Sequence, residues 1–407
     1  MVELRVDKIV TGGDGMARGS DGKVVFVPGA LPDEVVRVEI VDAKRDFSRA
    51  AVLEIVEPSP HRVEPPCPYV AARCGGCGWQ HIDPDEQRRL RRDIVIEALA
   101  RLGGITGADV AIAPPSTVAG FRTTVRMGVR ADGRAAYRAT RSNDLVAVDD
   151  CLVAHPLVTS MLSARFPSAQ EVVLRAGART GDRMAWPTAD ESGERRRRGN
   201  ARLNPAEAPI GLPGGVRVGP DAHVEEVVGD QRLRIGAGSF FQSSPEAAEG
   251  IARAVVGLGG DELAHARRVV DAYGGVGLLG ALAVPAGAHL TSVELSPSAC
   301  ADARRNLVDR DAIVVESTVE RWRPPPDRVD AVLADPSRTG LGREAVDVLC
   351  AIAAPTLVLV SCDAGALGRD AALLAERGYV FRRAEMVDAF PHTPHVEVVS
   401  RFERKVE

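Results

Sequence analysis

The 407-residue chain has no uncharged apolar run of about 18 residues, the length a helix needs to cross a lipid core, so no membrane span is expected. Its first residues, MVELRVDKIV, alternate like a strand and lack the basic start and apolar block of a signal peptide; a cytoplasmic protein is expected. Cysteine is scarce. Seven in a chain of this length exclude a disulfide scaffold, and an odd count points instead to metal binding or catalysis. Lysine is scarcer still: only Lys8, Lys23, Lys44 and Lys405 occur, so nearly all of the 51 basic residues are arginine. A high-GC coding bias is the plainer source of that skew, although arginine also suits phosphates and stacked bases. A formal charge of -5 argues against a protein that coats nucleic acid in bulk and leaves a local groove open.

What is present is enough hydrophobic sequence, 45%, to bury a full core in two or three domains. Residues 2 to 56 carry short alternating runs, VELRV, KVVFV, EVVRVEI and AAVLEIV, separated by Gly- and Pro-bearing turns. That spacing predicts a small closed β-barrel, either a generic module or one of the oligonucleotide-binding type. EPSPHRVEPPCPY then reads as a proline-stiffened linker. Asp83, Pro84 and Glu86 give a capping-box start to a helix that puts Leu90, Ile94 and Ala98 on one face and stops at Gly103-Gly104. The arginines of QRRLRR are expected mostly on its open side, where a solvated face is the default reading and an RNA contact the lesser one. Between 116 and 236 the strands are short and irregular, with ADESGERRRRGNARLNP reading as a mobile loop in which Arg195 to Arg198 offer at most a phosphate contact. After 237, RVVDAYGG, AHLTSVEL, DAIVVES, VDAVLADPS and TLVLVSCD alternate with helical stretches, the rhythm of a largely parallel, doubly wound sheet.

Ligands of such sheets sit beyond the carboxyl ends of the strands, where several polar residues collect. The first strand ends in Asp271 and runs into a turn whose Gly274, Gly275 and Gly277 permit close backbone approach; about 20 residues on, Glu294 is placed to hold a ribose diol. The turn lacks G-x-G-x-x-G, which favours S-adenosylmethionine over a dinucleotide. Asp335 and Cys362 end two further strands at the same edge. Taken singly they read as a helix cap and an inert buried thiol; converging on one crevice, they make Cys362 a candidate nucleophile, aided by the start of the following helix. A second group, Cys67, Cys74 and Cys77 in C-x6-C-x2-C spacing with Cys151 as the natural fourth, suits zinc or an iron–sulfur cluster, with the latter favoured by GGC and Pro68. The C-x3-C-x2-C of radical S-adenosylmethionine enzymes is absent.

In this order the motifs resemble those of the RNA (uracil-5-)-methyltransferase family over nearly the whole chain. VPGALPDE resembles part of a TRAM domain, and the four cysteines resemble the family's 4Fe-4S site. SFFQSSPEAAE implies Gln242 as a cofactor contact, and DAYGGVGLLG implies Tyr273, Gly275 and Gly277, with Leu278 standing where the family carries a polar residue. By the same resemblance DPSR supplies Asp335, SCDAGALGRD supplies Cys362 as nucleophile, and FPHTPHVEVV supplies Glu397 as base, while Asp363 and Ala364-Gly365 depart from the family pattern and imply a looser loop.

The resemblance implies a multidomain α/β protein: an OB-like TRAM barrel (1–57), an iron–sulfur-containing α+β central domain (58–80 with 116–236), and a Rossmann-like S-adenosylmethionine-dependent methyltransferase domain (81–115 with 237–407). It implies a Cys362 adduct at uracil carbon 6 followed by methylation at carbon 5. The target base must be flipped out, with Phe121, Arg122 and Arg126 as candidate RNA contacts. The expected partner is RNA, ribosomal ahead of transfer RNA, and the expected state is a monomer. The rivals are a methylase of the transfer RNA T-loop and a non-catalytic iron–sulfur RNA-binding protein.

Overall fold

The computed structural model describes residues 1–188, 208–324 and 327–405. Arg195 to Arg198 lie outside the described residues. Strands β1 (Val2–Ile9), β2 (Gly15–Arg18), β3 (Val24–Val27), β4 (Val35–Ala43) and β5 (Phe47–Glu57) close into a barrel in the order β1-β2-β3-β5-β4, as the alternating pattern predicts. Its inward residues, including Val6, Val27, Val36 and Val38, form a separate small core.

The proline-rich stretch that follows is held fast. The carboxylate of Glu34, fully buried in the barrel, accepts Arg62 Nε at 2.6 Å and Nη2 at 2.8 Å, Leu31 N at 2.8 Å and Ser59 N at 3.2 Å. Four donors on one desolvated carboxylate fix the exit angle of the chain, because breaking one partner leaves charge buried and unpaired.

Helix α1 (Pro84–Gly103) starts and stops where the sequence places it. Asp83 Oδ1 accepts Asp85 N at 3.0 Å and Glu86 N at 3.3 Å, and Gly104 ends the helix at φ +67°. The capping box does not close: Asp83 N donates to His61 O at 2.9 Å, while Glu86 turns to Arg89 Nε at 2.7 Å. The arginines are also not all on the open side, since Arg91 is buried together with Gln87, Leu90 and Ile94.

Strands β6 (Val110–Ile112), β7 (Thr124–Val129), β8 (Ala135–Arg138) and β9 (Leu145–Ala147) precede a one-turn helix α2 (Pro156–Thr159). Next come β10 (Glu171–Ala176), β11 (Arg183–Thr188) and β12 (Val216–Val218), which join β7 to β9 in a six-stranded sheet ordered β12-β11-β10-β7-β8-β9, followed by the hairpin β13 (His223–Val228) and β14 (Gln231–Gly236). The buried guanidinium of Arg175 on β10 donates to Gly236 O and Ser239 O, tying this sheet to the segment that leads into the next domain.

The remainder is α3 (Pro245–Ala264), β15 (Arg268–Ala272), α4 (Leu278–Leu282), β16 (His289–Glu294), α5 (Pro297–Asn306), β17 (Ala312–Glu316), β18 (Ala331–Ala334), α6 (Gly342–Ala351), β19 (Thr356–Ser361), α7 (Ala364–Glu376), β20 (Tyr379–Met386) and β21 (Val398–Arg404). These strands build an eight-stranded sheet ordered β17-β16-β15-β18-β19-β21-β20-β6. Five neighbours are parallel; β21 runs antiparallel to both β19 and β20, and β6 is added at the edge beside β20. The strand order reverses between β15 and β18, so the switch-point crevice lies above their ends. Helix α1 packs on α7, approaching so closely that a Cβ on Gly368 would lie 2.6 Å from Ala98 O and 2.9 Å from Leu102 Cβ. Among the described residues no helix is long and apolar enough to cross a membrane.

Candidate active site

Reversal of β21 brings Cys362 and Glu397 together. The β19–β21 ladder ends on the pair Ser361 and Val398, so Cys362 follows the end of one strand and Glu397 precedes the start of its neighbour, at the same edge of the sheet. They are close enough for the Glu397 carboxylate to act on the thiol. Asp335, just past the end of β18, stands beside them with its N–H on Ala272 O at 3.2 Å, and Gln242 Nε2 donates to Asp335 Oδ2 at 3.4 Å. Glu397 Oε1 is buried without a partner.

Crowding three acids into this edge shifts them all. Burial, then the Glu397 and Asp335 carboxylates, push the Cys362 thiol up to about 12, outweighing the nearby Arg338 and the helix start that was expected to ionise it. Burial and then Asp335 hold Glu397 well above the usual carboxylate range, with Arg338 opposing, and desolvation raises Asp335 to about 7. The resting thiol is therefore protonated. His395, two residues before Glu397, is pushed down to about 4 by burial and by Arg338 and Arg122, and stays neutral. Asp363 caps α7, accepting Ala366 N at 2.8 Å, so the loop after Cys362 is fixed by the residue expected to loosen it.

The neighbouring crevice has the features of a ligand cradle. Gly275 N donates to Glu294 Oε2 at 3.0 Å and Ser296 N to Oε1 at 2.6 Å, setting this half-buried carboxylate beside the turn after β15. Tyr273 adopts φ +63°, a left-handed conformation that costs a non-glycine residue roughly 1–3 kcal/mol. A Cβ on Gly274 would lie 2.1 Å from Ser292 Oγ and 3.2 Å from Asp271 Oδ2, so only glycine lets the turn sit this low. Leu278 is buried at the start of α4 and presents no polar group. Among the described residues Ser292 Oγ and both Asp271 oxygens are buried without a side-chain partner, the Gly280 N–H giving Asp271 only a weak contact, and burial, then Asp335, raise Asp271 to about 8.

As for the second constellation, Cys67, Cys74, Cys77 and Cys151 all line one recess, together with Tyr69, Gln80, Arg122 and Tyr137. All four are free and partly buried; Tyr137 Oη lies 3.5 Å from Cys151 Sγ. Among the described residues no three His, Cys, Asp or Glu side chains are grouped to hold a metal ion. Of the proposed RNA contacts, Phe121 is buried in the core, Arg122 reaches into this recess over the Phe121 ring, and Arg126 is paired with Glu171 at 3.2 Å.

Residues 2–53 match the TRAM domain family. The chain is 35% identical to an uncharacterized RNA methyltransferase of Streptomyces coelicolor, covering 98% of this chain and 92% of that protein. It is 32% identical to a 23S rRNA (uracil(1939)-C(5))-methyltransferase of Chromohalobacter salexigens, covering 97% and 87%. The chain belongs to the RNA methyltransferase family. The fold of this methyltransferase is that of a Pyrococcus abyssi tRNA (uracil-54, C5)-methyltransferase solved with S-adenosyl-L-homocysteine, at a TM-score of 0.74 and 22% identity over 98% of this chain and 100% of that one.

Sequence reading of the methyltransferase missed Asp271 as an orphan acid and missed Gln87, Arg91, Asp388 and His392 around the loop that carries Glu397. A signal existed for the first two: they are four apart and fall on the same helical face as Leu90 and Ile94.

Proposed function

We propose that this methyltransferase transfers a methyl group to carbon 5 of a uridine in RNA, with Cys362 as nucleophile and Glu397 as base. The observation that carries the proposal is that Cys362 and Glu397 flank the Ser361–Val398 end of the β19–β21 ladder, with the Glu397 and Asp335 carboxylates both near the thiol and Gln242 bonded to Asp335. Uracil carbon 5 is a poor nucleophile. Addition of Cys362 sulfur to carbon 6, with the thiol proton passing to a neighbouring carboxylate such as Asp335, makes carbon 5 enolate-like, which splits one hard step into two easier ones. Asp335, held near 7, is the carboxyl whose proton occupancy is balanced at neutral pH, and with Gln242 it is placed to orient the ring.

The cradle suits S-adenosylmethionine. Glu294 is set for the ribose, the turn of Tyr273, Gly275 and Gly277 for close backbone contact, and the orphan oxygens of Asp271 and Ser292 for polar groups. When bound, the cofactor supplies an electrophilic methyl group and positive charge beside these carboxylates. The four-cysteine recess would be where a 4Fe-4S cluster is held, four thiolates being the usual ligands of such a cluster. Its role would be to staple a loop-rich region, since no electron moves in the reaction.

Ribosomal RNA is the substrate we put ahead of transfer RNA; the name of the Chromohalobacter relative supports that reading. The test is trapping with 5-fluorouridine RNA, whose carbon 5 carries no removable proton. A denaturation-resistant adduct with the parent and none with Cys362→Ala is expected; an adduct formed by Cys362→Ala overturns the nucleophile. Protein purified without oxygen is expected to be brown and to contain iron, and colourless protein with stoichiometric zinc overturns the cluster.

A further inference from the structure

Glu397 ends an eleven-residue loop that leaves the sheet after β20 and returns at β21, closed at its base by Val387 N donating to Glu397 O at 2.8 Å. A loop of this length has many alternative paths, yet the carboxylate must reach one atom of a flipped base. What fixes the path comes from α1, far away in sequence. Arg91, 2% exposed, donates to Asp388 Oδ1 at 2.6 Å and to Phe390 O at 2.8 Å, while the second Asp388 oxygen accepts Ser116 N at 3.2 Å. One helical turn earlier Gln87, 1% exposed, accepts His392 N at 2.7 Å through its amide oxygen. Its amide nitrogen donates to Trp79 O at 3.1 Å and Ile82 O at 2.9 Å.

His392 is the point of strain. It sits at φ +64°, and its carbonyl accepts Trp79 N at 2.9 Å. A non-glycine residue stays in that conformation only where its surroundings over-determine it. Here Gln87, Trp79 and Val118 O, 3.1 Å from His392 Nε2, do so. Cys362, in contrast, is carried by β19 and by the capped start of α7 and needs none of these contacts.

We propose that Gln87 and Arg91 are positioning residues for Glu397 that act after methyl transfer, in proton removal and release. This rests on the function proposed above. In that step carbon 5 already carries the methyl group. The Glu397 carboxylate takes the carbon 5 proton, the C–H pair forms the C5=C6 double bond, and the C6–S pair returns to Cys362 as thiolate. A displaced Glu397 leaves addition and methylation intact and stalls the methylated adduct.

The experiment compares the parent with Gln87→Leu, Arg91→Ala and the conservative Arg91→Lys on two RNAs in the presence of S-adenosylmethionine. With 5-fluorouridine RNA, which demands folding, Cys362 and methyl transfer but no proton removal, Gln87→Leu and Arg91→Ala should trap within about twofold of the parent rate. With uridine RNA the same variants should turn over at least tenfold more slowly and accumulate a methylated protein–RNA adduct, and Arg91→Lys should recover part of the loss. Equal falls in trapping and turnover would mean a purely structural role, and unchanged turnover would mean no role; either overturns the inference. A parent that traps no RNA overturns the underlying function and this inference with it.

Discussion

Replacing Asp271 with Asn should stabilise the protein, and should do so only at neutral and alkaline pH. The Asp271 side chain is fully buried, among the described residues no side chain pairs with it and the Gly280 N–H makes only a weak contact, and its carboxyl is raised from 3.8 to about 8. An unfolded chain ionises this group near 3.8, whereas the folded one retains the proton up to about 8. Between those values the folded state binds more protons, so stability falls as pH rises through the window and levels off above it. A shift of about four units at roughly 1.36 kcal/mol each sets a ceiling of about 5 kcal/mol at pH 8. Asn removes that penalty but keeps unpartnered amide atoms, which cost roughly 1–3 kcal/mol. The net gain is about 3 kcal/mol at pH 8, or roughly 6–12 °C in the melting of a domain of this size. At pH 5 the penalty removed is only about 1.6 kcal/mol, which the amide cancels. Thermal unfolding of parent and variant from pH 5 to pH 8 should therefore give melting temperatures that diverge with pH. Parallel curves, or a variant less stable at pH 8, would refute the account. Binding of S-adenosylhomocysteine, followed by calorimetry, should weaken in the same variant, because the carboxyl is retained at this cost beside the cradle.

Gly368→Ala should destabilise by about 1–3 kcal/mol, since its methyl would press on the Ala98 carbonyl, and adduct formation should slow because α7 carries the segment after Cys362; chemical denaturation and fluorouridine trapping check the two effects. Glu34→Ala should cost roughly 3–5 kcal/mol in the barrel and expose residues 58 to 66 to protease, because Arg62 and two backbone donors lose their acceptor. Asp363→Ala should lower stability by about 1 kcal/mol through loss of the α7 cap, while Asp363→Asn, which keeps the capping oxygen, should melt within a degree or two of the parent.

The barrel, α1 and the parallel strands were legible because each rests on a local pattern: alternation, a cap with its glycine stop, or apolar runs with turns. The antiparallel β21 was not, since strand direction leaves no mark on a strand's own residues and is set by where the preceding loop returns the chain. Arg91 was misplaced for a related reason. Arginine on a helix is usually solvated, and only the arrival of Asp388 and Phe390 O from the other end of the chain makes burial tolerable.

By itself the sequence determined the chemical inventory: a thiol and acids at strand ends, a glycine turn that a ligand can approach, and a C-x6-C-x2-C run with a further cysteine at 151. It also determined the local elements that hold them, because capping, turn geometry and hydrophobic period act over a few residues. Only the tertiary structure decided that Cys362 and Glu397 come to the same sheet edge, that Asp271 is buried without a side-chain partner among the described residues, and that α1 reaches the loop of Glu397. Those outcomes depend on contacts across hundreds of residues and on how much water packing removes, and neither is written in any short stretch of the chain.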